Sequence, residues 1–207
     1  MSFKNLKIGM RLGLGFFSIL LIFVIAGIIV NMSLKDVKDG SQLIKGKSIP
    51  FLLAADKMAF NTVQVQQFLT DVSVTHDTDV YKEAEAAAKG FKDDLNKFKE
   101  MFKQENDTVS LKKLDEIESA FDRFYEIGKQ MATTYITQGL EAGNKIMKGI
   151  AGFDDSSLLL TEKVSEFAKQ QKDEAITAAQ KNIEAVWKTQ KTLLLFGILA
   201  VFISAII

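Results

Sequence analysis

Two uncharged apolar stretches bracket one long polar middle, and few folds accommodate that layout. The first covers residues 12–34 and the second residues 192–207. A helix needs about 20 apolar residues to cross a hydrocarbon core of about 30 Å. The first stretch supplies 23, enough to cross. The second supplies 16, about 24 Å of helix at ~1.5 Å per residue, and has no closing polar flank. The expectation is the front part of a longer protein, ending inside its second crossing.

Charge sets the orientation. Lys4, Lys7 and Arg11 precede the first stretch with no acidic residue among them, and short positive tails stay cytoplasmic. The expected organisation is a cytoplasmic tail over 1–11, a transmembrane helix over 12–34, an extracytoplasmic domain over 35–191, and the start of a second transmembrane helix over 192–207. Arg11 on one side, and Trp187, Lys188 and Lys191 on the other, fall where interfacial anchors are expected. The two lysines sit on the outer flank, against the charge rule. A long segment translocates largely regardless of such charges, and lysines can snorkel. A cleaved signal peptide has an apolar core of ~7–15 residues and a small-residue cleavage site, which this chain does not show after Met32.

The middle segment carries all 26 acidic residues and 23 basic ones, a net of −3. That balance argues against a nucleic-acid surface. With no cysteine, disulfides, thiolate zinc sites and attached c-type haem are excluded.

Apolar residues in this segment recur at helical spacing, in four runs. The first reaches about Thr75, with Phe51, Met58, Val65 and Val72 every seven residues, beside Ala55, Thr62 and Leu69 and beside Ala54, Asn61 and Phe68. Pro50 should kink or locally break it. The second, about 80–104, carries Ala84, Phe91 and Phe98. The third, about 108–138, carries Leu114, Phe121, Gly128 and Tyr135. The fourth carries Ile146, Ile150, Phe153, Leu160, Val164 and Phe167 and runs into the last apolar stretch. Between them lie turn residues, with Asp79 the expected N-cap of the second run and Gly139 a C-terminal cap of the third. If each helix must regain the same height, the fourth starts near 145, with Gly149 and Gly152 in its first turns. The fold class expected is all-α: a membrane-anchored, antiparallel up-down-up-down four-helix bundle, its first and last helices continuing into the transmembrane helices.

Catalysis is poorly supported. The only histidine, His76, falls in a turn, and Asp93-Asp94 and Asp154-Asp155 are adjacent on helices, so they read as solvated or capping groups. No catalytic residue, metal site or cofactor is expected. The upper part of the first run is more suggestive. Gln64, Gln67 and Asp71 share a face beside the apolar stripe, and Asn61 falls on the stripe, where a buried amide would need a partner. In an antiparallel bundle these residues reach the level of Asn144 and Lys145. Asn61, Gln64, Gln67, Asp71, Asn144 and Lys145 are therefore the candidate ligand contacts, suited to a small polar or anionic solute. The same amides could simply line a helix seam.

The arrangement resembles the N-terminal half of a methyl-accepting chemotaxis receptor with a four-helix-bundle sensor domain. The similarity is carried locally by Lys7-Ile8-Gly9-Met10-Arg11-Leu12-Gly13-Leu14-Gly15-Phe16, by Ile49-Pro50-Phe51-Leu52-Leu53-Ala54-Ala55-Asp56-Lys57-Met58 and by Val63-Gln64-Val65-Gln66-Gln67-Phe68-Leu69-Thr70-Asp71. The resemblance implies a homodimer in a bacterial inner membrane, ligand binding near the membrane-distal end, and displacement of the fourth helix relayed through the second crossing. It implies a cytoplasmic kinase and adaptor as partners of the missing half, and a solute or a periplasmic binding protein as the stimulus. The arginines by which amino-acid receptors of this class hold a carboxylate have no counterpart on helix one, and Arg123 is the only arginine of the outer segment. The same front end also suits a sensor histidine kinase or cyclase, or a membrane-anchored structural bundle without a ligand.

Overall fold

The computed structural model describes residues 7–206. Lys4, part of the expected cytoplasmic tail, and Ile207, at the end of the second apolar stretch, lie outside them. Among the described residues the regular structure is entirely helical. Six α-helices follow in order: α1 Ile8–Leu43, α2 Ile49–Thr75, α3 Tyr81–Gln104, α4 Thr108–Gln138, α5 Leu140–Lys148 and α6 Phe153–Ile206.

Between α1 and α2 the chain makes one π-helical turn, Ile44–Ser48, with Pro50 the second residue of α2. Proline has no N–H, and its ring crowds the carbonyl four residues back. A widened turn absorbs that mismatch without ending the helical path. The Ile44 N–H points at both the Gly40 and the Ser41 carbonyls, where the regular ladder gives way. The expected local break at Pro50 is thus a change of helix type.

The chain divides into two compact units, one formed by Ile49–Glu174 and the other by Met1–Ser48 with Ala175–Ile207. In the first, α2, α3, α4 and α6 contribute to one apolar core. Its largest fully buried side chains include Phe91, Phe98, Phe121, Phe124 and Phe153, each worth roughly 1.5–3 kcal/mol on burial. Phe91 stacks on Phe121 at 4.0 Å, Phe153 lies 5.1 Å from Phe124, and Phe98 meets Phe51 at 5.0 Å and Phe167 edge-on at 4.7 Å. Along α3, Tyr81 meets Thr133 of α4, Phe91 meets Phe121, and Lys99 meets Asp115 and Glu118. Along α6, Phe153 meets Phe124, Lys163 meets Glu116, and Gln170 meets Lys113. In both pairs residue numbers fall on one helix as they rise on the other.

The sevenfold stripes of the second and third runs are buried as expected. The fourth run differs. Its helix starts at Phe153, not near 145, and residues 140–148 form the separate α5. Equal rise assumed one helix for the whole descent, but the Gly149–Gly152 break interrupts it. Side chains at Gly149 and Gly152 would run into the Lys145 and Ile146 carbonyls, and Ala151 takes a positive φ of 55°. These glycines make the break instead of lying in a helix, and Ile150 is fully exposed there, not on the core stripe.

Three caps follow local chemistry. Asp77, not Asp79, accepts from the next turn, its Oδ1 taking the Asp79 N–H at 2.9 Å. Asp79 instead pairs with Lys82 at 2.8 Å. Asp107 caps α4 by accepting from the Ser110 N–H at 3.0 Å and its hydroxyl at 2.6 Å. Gly139, after α4, has φ 84°, a backbone that glycine adopts without strain.

In the other unit, apolar side chains lie outward. Phe16, Phe17 and Phe23 are 63–69 % exposed, and only Gly15, Ala26 and Thr189 are buried among its described residues. Two helical regions, within Ile8–Thr75 and Leu140–Ala205, are long and apolar enough to cross a membrane.

Candidate sensory site

Of the candidate ligand contacts, those on α2 stay near one another. The Gln64 amide donates to the Gln67 side-chain oxygen at 3.3 Å. Gln64 and Asp71 are half-buried and Gln67 is exposed. Asn61 is also half-buried, and its amide fills the space a side chain at Gly90 of α3 would need. Its place on the apolar stripe thus depends on a glycine opposite.

Asn144 and Lys145 have other neighbours. α5 folds back on the end of α4, where Gly143 lies against the Tyr135 ring. The Tyr135 hydroxyl donates to Asn144 Oδ1 at 2.6 Å and lies 3.6 Å from Met147 Sδ. Burial, with the nearby Asp154 charge, pushes the Tyr135 phenol above its ordinary pKa, so it stays a neutral donor. Lys145 pairs with Glu141 at 3.3 Å, both well exposed. None of these bonds joins the α5 residues to the α2 amides. Tyr135, read in the sequence only as a core residue, is the missed member: a phenol ending an apolar stripe needs a partner for its hydroxyl.

A second feature went unread. Between α4 and α6 lies a cleft of ≈ 220 Å³ lined by Lys113, Glu116, Lys163, Glu166 and Gln170 over Ile117 and Phe167. Small-molecule sites usually run to ~300–1,000 Å³, and three of the cleft's charges already have partners, Lys163 with Glu116 at 3.2 Å and Lys113 with Gln170 at 3.1 Å. Arg123 lines a smaller hollow of ≈ 100 Å³ with Asp155 and Ser156.

The groups read as solvated or capping are mostly so placed. His76 is exposed at φ 60° in the turn after α2. Asp155 acts as a cap, accepting from the Ala151 N–H at 3.0 Å. Asp94 departs from expectation: it is only 6 % exposed, held by Lys97 at 2.7 Å. That carboxylate, by hydrogen bond and charge, holds the Lys97 ammonium above its usual range. Among the described residues no group of three or more His, Cys, Asp or Glu side chains is placed to hold a metal ion. Of the four anchor residues, Trp187 is 59 % exposed, Lys188 and Lys191 are exposed, and Arg11 is half-buried.

No curated protein and no solved structure matches the chain. A family model described as a four helix bundle sensory module for signal transduction does match, over residues 5–186. That span takes in all of α1 to α5 and most of α6. The chain belongs to the four-helix-bundle sensory modules of methyl-accepting chemotaxis signal transduction.

Proposed function

We propose that this chain is the sensing half of a transmembrane chemoreceptor, with residues 35–191 outside a bacterial inner membrane and residues 12–34 and 192–207 within it. The outer segment is an antiparallel up-down-up-down bundle. It receives a small polar or anionic solute, or a binding protein carrying one, and passes the change through the second crossing to a cytoplasmic region that engages a kinase and its adaptor. The observation that carries this reading is α6: one helix, Phe153–Ile206, holds both core residues of the sensory module and the second apolar stretch, in a region that is a candidate membrane span by length and composition.

The receptor works as a homodimer along α2. Ile49, Leu53, Phe60, Val63 and Val74 follow the four-three spacing of a helical seam and are 48–77 % exposed. Such a stripe, broken only by Asp56, Gln67 and Thr70, is what a second copy would cover. The stimulus is read at the distal end by Asn61, Gln64, Gln67 and Asp71 on one side and Asn144 and Lys145 on the other. Amides offer both donors and acceptors, and releasing Asn144 from Tyr135 would free an acceptor for a ligand.

The relay is tested by joining residues 1–207 to the cytoplasmic half of a chemotaxis receptor. Moving the Trp187 anchor by one turn should then bias kinase output without a stimulus, because aromatic anchors set a helix's depth. Unchanged output from a folded, inserted receptor contradicts it. The site is tested separately: Gln64→Ala and Asn144→Ala should each weaken solute-dependent thermal stabilisation. Full stabilisation in both variants moves the site elsewhere.

A further inference from the structure

Within the unit formed by Met1–Ser48 and Ala175–Ile207, a polar contact joins α1 and α6. The Asn182 amide nitrogen donates to the Ser41 hydroxyl at 2.9 Å, and that hydroxyl donates to the Val37 carbonyl of its own helix at 2.8 Å. The other end of the amide, Asn182 Oδ1, is buried and has no hydrogen-bond partner. It lies over Gly40, where a Cβ would come within 2.7 Å of it. Turning the amide over exchanges which atom faces Gly40 and still leaves one polar atom unpaired.

We propose that Gly40, Ser41 and Asn182 form a polar latch that fixes the resting register of α6 on α1. Three features support it. Gly40 is the one glycine between residues 28 and 45, and the residues one turn away on either side are Asp36 and Val37, then Leu43 and Ile44. A helix sliding by one turn, about 5.4 Å, finds no second seat of that size. The bond to Ser41 selects this seat from the polar side. The unpaired acceptor makes the same seat less favourable than a fully satisfied one, so the register is unique yet releasable. This deepens the relay reading, since a helix that carries a signal needs a defined starting position.

Because the chain has no cysteine, spin labels can be placed on it cleanly. Lys38→Cys and Glu184→Cys, both at exposed positions, report the α1–α6 spacing in residues 1–207 reconstituted in lipid nanodiscs. Gly40→Leu fills the seat and should displace the mean distance by at least about 1.5 Å, one residue's rise. Adding Asn182→Ala to Gly40→Leu exchanges knob and hole and should restore the original mean. Ser41→Ala should keep the mean but broaden the distribution. A Gly40→Leu chain that stays helical without displacement, a displacement that Asn182→Ala does not reverse, or an unbroadened Ser41→Ala distribution overturns the latch. If the distances follow these expectations while kinase output stays constant, the relay fails and the latch stands.

Discussion

The same side chain, phenylalanine, is used in opposite ways in the two units. In Ile49–Glu174, Phe91, Phe98, Phe121 and Phe124 are fully buried and spaced so that neighbouring helices interlock. In the other unit, Phe16, Phe17 and Phe23 stand outward, with nothing of the chain covering most of their surface. Water drives the first arrangement, since removing apolar area from it is the main source of stability. It could not sustain the second. On the proposed reading lipid is the solvent there, and an outward apolar face costs nothing in hydrocarbon.

The largest effect that separates the units is a ring deletion. Phe98→Ala removes a side chain that touches Phe51, Phe102 and Phe167. It should destabilise the bundle by about 3–5 kcal/mol, read from the helical signal on melting. Phe16→Ala, at a site 69 % exposed, should stay within ~0.5 kcal/mol in the same melt. Equal losses would erase the distinction.

A smaller contrast comes from adding a methyl group. At Gly128 of α4, Leu69 and the Phe153 ring already occupy the place of a Cβ. Gly128→Ala should therefore cost about 1–3 kcal/mol through overpacking. At Gly13 a Cβ meets nothing within 4 Å, and Gly13→Ala should leave the melt unchanged. A tolerated Gly128→Ala would mean the core is looser than its burial indicates.

The smallest effect is electrostatic and confined to the water-facing unit. The Ser110 hydroxyl and N–H hold the Asp107 carboxyl below its ordinary pKa of 3.8. A depressed carboxyl contributes stability above its unfolded pKa and loses it as pH falls through the folded value. Acidification through that window should lower the melting temperature more in the native chain than in Asp107→Asn. Asparagine is also a good N-cap and does not titrate. Parallel acid profiles would remove the cap from the account.

How legible these regions were depends on how local their determinants are. α3 and α4 were readable because Phe91, Phe98, Leu114 and Phe121 repeat at sevenfold spacing and Asp107 caps the turn before α4. The break after α5 was not, because four glycines in fourteen residues permit several paths, and the choice rests on carbonyls brought close only by the fold. Asp94 misled for a related reason: its burial comes from its place on the packed face of α3, which its neighbour Asp93 disguises. The candidate site was half legible. The Gln64 face of α2 follows from spacing, whereas Asn144's bond to Tyr135 needs α5 to turn back on α4.

On the proposed reading the bundle lies outside the cell, the two apolar stretches lie in lipid and the N-terminal tail lies within the cell. Single cysteines in this cysteine-free chain, at Lys4 and at His76, test it in intact cells with a membrane-impermeant maleimide. His76→Cys should label at once, while Lys4→Cys should label only after the membrane is opened. Protection of His76→Cys, or labelling of both before lysis, would contradict it.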